Sequence, residues 1–175
     1  ATLAATTYPF FVTAVGNIGQ GYAGALSLTE TNLQNPNRVP DQTGYIIRKI
    51  GFHWTPLLEA GTSGVTTVIA SLQTVMNYSF IRFQKTEYSF VFGPGFLLPS
   101  GAGLYAIAAP AAGVTEYANN GVPTPQARMN LNVPIVLKPG ETFSFDLVQT
   151  TAATLSTATK AWIILEGESF SQIMS

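Results

Sequence analysis

The chain is 175 residues long, carries a formal net charge of −1 and contains no cysteine. That length suits one domain, residues 1–175, with a sizeable core, and the missing cysteines exclude a disulfide framework and a thiolate metal site. Its eight basic residues are scattered rather than clustered, so no patch neutralises phosphates and direct nucleic-acid binding is not expected.

The charged fraction is 10%, against about 25% in an ordinary soluble domain, while 46% of the residues are hydrophobic. Thr, Ser, Asn, Gln, Gly and Pro take the place of the missing charge. Two readings follow. Either much of the surface is buried against neighbouring subunits, whose interface cores are poor in charge, or the surface is polar and uncharged, as in some extracellular β-proteins. Two uncharged stretches, Ala1–Thr29 and Tyr88–Thr115, lack the pattern of a membrane span: the first holds Pro9 and several glycines and has no basic n-region, and the second is broken by Gly93-Pro94-Gly95, Pro99-Ser100-Gly101 and Pro110. A soluble protein without a cleavable signal is expected.

In chain order, Thr6–Val15 alternates Tyr8, Phe10, Val12 and Ala14 with Thr7, Pro9, Phe11 and Thr13, the period of a strand. Gly16–Gly21 reads as a turn and Ala23–Thr29 as a second strand. Glu30–Gly44 is a polar loop punctuated by Asn35-Pro36-Asn37 and Pro40-Asp41. Tyr45–Trp54, YIIRKIGFHW, is rich in aromatic and β-branched residues and predicts a strong strand that Pro56 ends. Val65–Phe80 fits helical and strand spacing about equally, so one short helix is allowed there. Phe80–Phe83 and Tyr88–Phe92 predict strands around Gln84–Glu87, with turns at Gly93-Pro94-Gly95 and Pro99-Ser100-Gly101. Leu104–Ala108 adds a further strand, and Ala109–Arg128 is a long loop suited to contact or binding.

Leu131–Gln149 gives the clearest signal. Lys138-Pro139-Gly140-Glu141 has the residues of a type II turn, Pro to fix φ and Gly to accept a positive φ. Beyond it, Phe143, Phe145 and Leu147 alternate with polar residues. Before it, Val133, Ile135, Val136 and Leu137 form an apolar run expected to be covered on both faces, with Pro134 at a strand start or sheet edge. The two strands read as a hairpin. Thr150–Thr159 follows as an uncharged loop tip, and Ala161–Phe170 is the last strand. The sum is all-β: a single jelly-roll β-sandwich or barrel of about eight strands with at most one short helix. An up-and-down barrel or an immunoglobulin-like sandwich is less favoured.

Chemical signals are sparse. His53 is the only histidine, so one chain cannot build a multi-histidine metal site, and no nucleophile motif accompanies it. A structural strand position beside Trp54 is its expected role. Glu166 and Glu168, two apart on a strand, point to one face roughly 7 Å apart, a spacing that paired carboxylates of glycosidases also use. Two neighbouring acids near a strand end more often form a solvated or ion-paired face. The glycine pairs at Gly93-Pro94-Gly95 and Gly101-Ala102-Gly103 lack the context of phosphate loops, and Asn77-Tyr78-Ser79 matches the glycosylation pattern without an assigned role. Trp54, Trp162, Tyr45 and Tyr22 would stack on a sugar if exposed together, but core packing is expected of both tryptophans. No catalytic, cofactor or metal residues are assigned, and no enzyme activity is expected.

The stretches IIRKIGFHWTP (Ile46–Pro56), FGPGFLLPSGAGLY (Phe92–Tyr105), VPIVLKPGETFSFDLVQ (Val133–Gln149) and WIILEGESF (Trp162–Phe170), about a third of the chain, give it a pattern that resembles the small single-jelly-roll major capsid proteins of tailless icosahedral double-stranded DNA viruses with an internal membrane, the type found in Thermus phages and haloarchaeal viruses. The resemblance implies a barrel standing upright in a virion capsid, assembled in the host cytoplasm. It also implies self-association, most simply as a homodimer, co-assembly with a second, larger capsid protein, and an internal virion membrane beneath. It brings no catalytic residues. Ala109–Pro125 and Thr150–Thr159 are then the expected contact segments, and Ala1–Thr7 an arm onto a neighbour. The competing expectations are a carbohydrate-binding β-sandwich and, less favoured, a glycosidase using Glu166 or Glu168.

Overall fold

The computed structural model describes residues 2–19, 24–29, 31–55, 74–95, 105–107, 117–119, 128–154 and 160–171. These form an all-β sandwich in which two antiparallel sheets face each other. One sheet has four strands in the order β2 (Thr7–Phe10), β9 (Phe143–Gln149), β4 (Ser79–Lys85), β5 (Tyr88–Pro94). The other has three, β11 (Lys160–Ser171), β3 (Thr43–Thr55), β8 (Met129–Leu137). Apart from the β4–β5 hairpin, the chain passes repeatedly from one sheet to the other, so most neighbours in a sheet are distant in sequence, as in a jelly roll. Two small ribbons flank the sandwich: β1 (Thr2–Leu3) pairs with β10 (Ala153–Thr154), and β6 (Tyr105–Ile107) with β7 (Tyr117–Asn119). The only described helix is a single turn over residues 74–77 leading into β4. Residues 65–73 of the ambiguous stretch lie outside the described residues.

The core lies between the sheets. Ile47, Ile50 and Phe52 of β3 meet Ile81 and Phe83 of β4 and Phe143, Phe145 and Leu147 of β9, and most of these side chains are fully buried. Phe10 of one sheet stands edge-on to Phe52 of the other at 6.3 Å, and Phe145 stacks on Phe92 at 5.7 Å. The alternation expected of β9 is therefore real, and it marks the sandwich interior. Asp146, on its other face, is also buried. It accepts two hydrogen bonds at Oδ2 from its cross-strand partner Arg82, at 3.0 and 2.8 Å, so the charge is paired where water does not reach it.

Several expectations need correction. The Leu131–Gln149 segment is not a hairpin. Its turn forms as read, with Gly140 at φ +71° and Glu141 N–H donating to Lys138 O at 3.2 Å, but β8 joins β3 while β9 joins β2 and β4. The turn is a corner between sheets, held by Phe143 N–H to Asn37 O at 2.9 Å and Val39 N–H to Glu141 O at 3.0 Å. Nor is β8, an edge strand, covered on both faces: Val133 is 79% and Val136 40% exposed. Pro134 falls where pairing with β3 jumps from Ile135 to Asn130, in keeping with the edge position expected of it.

The first strand is shorter than its alternation predicts. Phe11 takes φ +63°, which ends β2 at Phe10 and turns the Phe11 ring onto Phe143 at 5.5 Å. Within 24–29 there is no strand, only a bridge from Ala25 to Ile18, and residues 23 and 30 are not described. The polar loop 31–42 supplies Val39 to the core at 1% exposure. Gly93-Pro94 is not a turn but the end of β5, where the register with β4 skips Phe92. Thr2–Leu3 pairs within its own chain, and Leu3 packs on the core instead of extending away as an arm. In the expected contact segments, 109–116, 120–125 and 155–159 lie outside the described residues, and Ala153 is buried.

Candidate functional site

The described surface offers one built-up region, on the outer side and free edge of β11. Strand alternation sends Ala161, Ile163 and Leu165 to the core and Trp162, Ile164 and Glu166 to the opposite face. Trp162, expected in the core, instead lies against His53 on that outer face, with ring centroids 5.6 Å apart and its Nε1 buried without a hydrogen-bond partner. The side chain of Trp54 and all of Tyr22 lie outside the described residues. Tyr45 has the core-side parity of β3, so the structure does not gather Tyr45 and Trp162 into a flat aromatic platform.

Gly51 explains how the charges beside His53 are arranged. A Cβ at Gly51 would stand 2.7 Å from Arg128 Cδ, so the bare glycine lets Arg128 lie on the sheet and reach Glu166 Oε1 at 2.6 Å. Glu168 pairs separately, accepting from Arg48 Nε at 2.9 Å. The register with β3 shifts between Glu166 and Gly167, where Arg48 is the extra residue on β3, so the two acids stand opposite β3 residues on either side of that bulge. Each carboxylate thus has its own arginine, an ion-paired arrangement and not a shared acid–base pair. Burial, with a smaller contribution from the Arg128 charge, lowers the pKa of His53 and favours the neutral imidazole.

A groove of about 830 Å³ runs between the 28–40 segment and β11. Phe11, Leu33, Tyr45 and Ile163 give it an apolar floor, with Arg38 and Glu168 at its polar rim. Glu168 lines it and Glu166 does not. Among the described residues no group of three His, Cys, Asp or Glu side chains converges as metal ligands, and no helix is long and apolar enough to cross a membrane. Asn77 and Tyr78 are exposed, but Ser79 of the same tripeptide is 4% exposed at the start of β4.

A second surface feature escaped the sequence reading. Tyr88 (70% exposed) and Phe90 (52%) project from the edge strand β5. The alternation places Phe90 on the same side as the buried Phe83 and does not reveal that Phe90 itself is exposed. Comparison with protein-family models, curated sequences and solved structures returns no match.

Proposed function

We propose that this chain is a structural subunit of an icosahedral viral capsid, one that self-associates and co-assembles with a second capsid protein. The observation that carries the reading is an all-β sandwich whose edge strands expose apolar side chains, in a chain with only 10% charged residues. Such a surface is stabilised by being covered, at roughly 25 cal/mol per Å² of apolar area before the cost of association. The outer-face arginines and acids neutralise one another, which suits a packed shell better than a reactive cleft. The test is solution mass by light scattering across protein concentration and salt, alone and with candidate co-assembling proteins from the same source. Dimers or larger species that build on addition of a partner support the reading. A monomer under every condition, with or without a partner, sinks it.

One observation favours a second reading, a carbohydrate-binding module: Tyr88 and Phe90, two residues apart on β5, are both exposed and offer rings for sugar stacking. Under that reading the protein is a monomer, binds glycans on an array, and loses binding when Tyr88 and Phe90 become alanine.

A further inference from the structure

We infer that the leading part of β5, residues 88–91, is a strap that opens away from β4 as a unit. The Lys85–Glu141 ion pair is the clasp that keeps it shut, against strain stored in the turn at Thr86. The inference does not depend on the capsid-subunit reading.

The strain lies in the hairpin tip. Lys85 ends β4 and is paired with Tyr88, which starts β5, so Thr86 and Glu87 form a two-residue turn. Such turns need a positive φ at their first central residue, and Gly, Asn or Asp usually supplies it. Here Thr86 does so, at φ +51°. A β-branched side chain crowds its own backbone in that region, so the surrounding structure must hold the turn in place.

Three contacts hold the tip, and none of them is to β5. Thr86 N–H donates to Thr142 O at 3.3 Å. Lys85 has the core-side parity of Ile81 and Phe83, and its ammonium reaches the end of the sandwich. There Nζ lies 3.1 Å from Glu141 Oε2 and donates to Val136 O, in β8 of the other sheet. Glu141 Oε2 also accepts from Lys138 N–H at 2.7 Å, which fixes the carboxylate on its own turn. The Lys85 and Glu141 side chains are only 22% and 17% exposed, so water and salt screen this pair less than a surface one.

Past the tip, little holds β5 itself. Tyr88, Ser89, Phe90 and Val91 are all exposed, whereas alternate residues of β4 are buried. Among the described residues β4 is its only strand partner, and the register between them skips Phe92. Phe92 is also where β5 is pinned, stacked on Phe145 at 5.7 Å and 6.5 Å from Phe83. Beside it, Gly93 takes φ +121°, a backbone suited to a hinge. The strap thus has a clasp at one end, a hinge at the other and four exposed residues between them. Segments with so few buried contacts open well below the free energy of global unfolding. Opening uncovers Phe83, fully buried and stacked on its cross-strand partner Phe90 at 6.4 Å.

The test is native-state hydrogen exchange of the full chain, read residue by residue. In the wild type, the β5 amides bonded to β4 are expected to exchange about a hundredfold faster, relative to their intrinsic rates, than the slowest amides of β9. Asn tolerates a positive φ, so Thr86→Asn relieves the turn and is expected to slow β5 exchange about fivefold. That variant stabilises the fold, so it does not risk unfolding it. Glu141→Gln keeps an acceptor for Lys138 N–H but leaves Lys85 part-buried without its counter-charge, and is expected to speed β5 exchange about tenfold. Ile50→Val, in the core of the other sheet, separates strap opening from global unfolding. It is expected to speed the slowest β9 amides about fivefold and to leave β5 unchanged. One common rate for β5 and β9, or a β5 rate that responds to Ile50→Val as β9 does, overturns the strap. A β5 rate indifferent to both Thr86→Asn and Glu141→Gln overturns the strained turn and its clasp.

Discussion

β9 and β11 look alike in sequence, each apolar with a few polar residues, yet they occupy opposite situations. β9 sits between β2 and β4 and is closed on both edges, whereas among the described residues β11 is paired by β3 alone. On β9 even the outward-facing Asp146 is 3% exposed and is ion-paired with Arg82, while on β11 the apolar Ile164 is 37% exposed. Place in the sheet, more than composition, decides whether a side chain is buried in the fold or left exposed.

The sharpest test of that contrast removes one apolar side chain from each strand. Phe145→Ala should cost about 3–5 kcal/mol, since it deletes a fully buried ring and leaves a cavity, while Ile164→Ala should cost under about 1 kcal/mol in the monomer. Urea unfolding measures both, and equal costs would break the comparison. Next in size is Arg82→Ala, expected to cost about 2 kcal/mol because Asp146 is left charged and buried, with Arg82 itself part-exposed. Arg82→Ala combined with Asp146→Ala should recover part of that loss.

On β11 the ion pairs should matter little. Arg48→Ala is expected to shift stability by less than about 1 kcal/mol, since Arg48 and Glu168 are both more than half exposed, and high salt should shrink the effect further. The smallest expected effect is a pH dependence. The folded-state pKa of His53 lies below 6.5, so the unfolded chain binds the proton more readily. Its contribution to stability is intact above about pH 6.5 and is lost as the pH falls toward the folded value. Urea midpoints compared above and below that pH should differ less in His53→Gln than in the wild type. An unchanged difference would place the pH sensitivity elsewhere.

Much of the fold was legible from local chemistry. The Pro139-Gly140 turn, the Phe143–Phe145–Leu147 alternation and the aromatic, β-branched run of β3 each follow from rules that act within a few residues. The errors have a common cause. Phe11 continues a good strand pattern but adopts a left-handed backbone because its ring packs on Phe143, more than a hundred residues away. The Leu131–Gln149 pair reads as a hairpin because a tight turn specifies the reversal of the chain and not which sheet receives the second strand.

The candidate surface was less legible still. Trp162 could be placed in the core or on the surface, because the period-2 pattern of AWIILE is masked by apolar residues on both parities. Only the pairing of Ile163 with Phe52 fixes which side is inside. The sequence by itself determined an all-β chain, its main turns, its buried face on β9 and a surface poor in charge, since these depend on side-chain periodicity and backbone freedom. Tertiary structure alone decided which strands pair, which of the described strands stand at sheet edges and which acids met which arginines. Those outcomes depend on contacts between residues far apart in the chain, and local propensity carries no information about them.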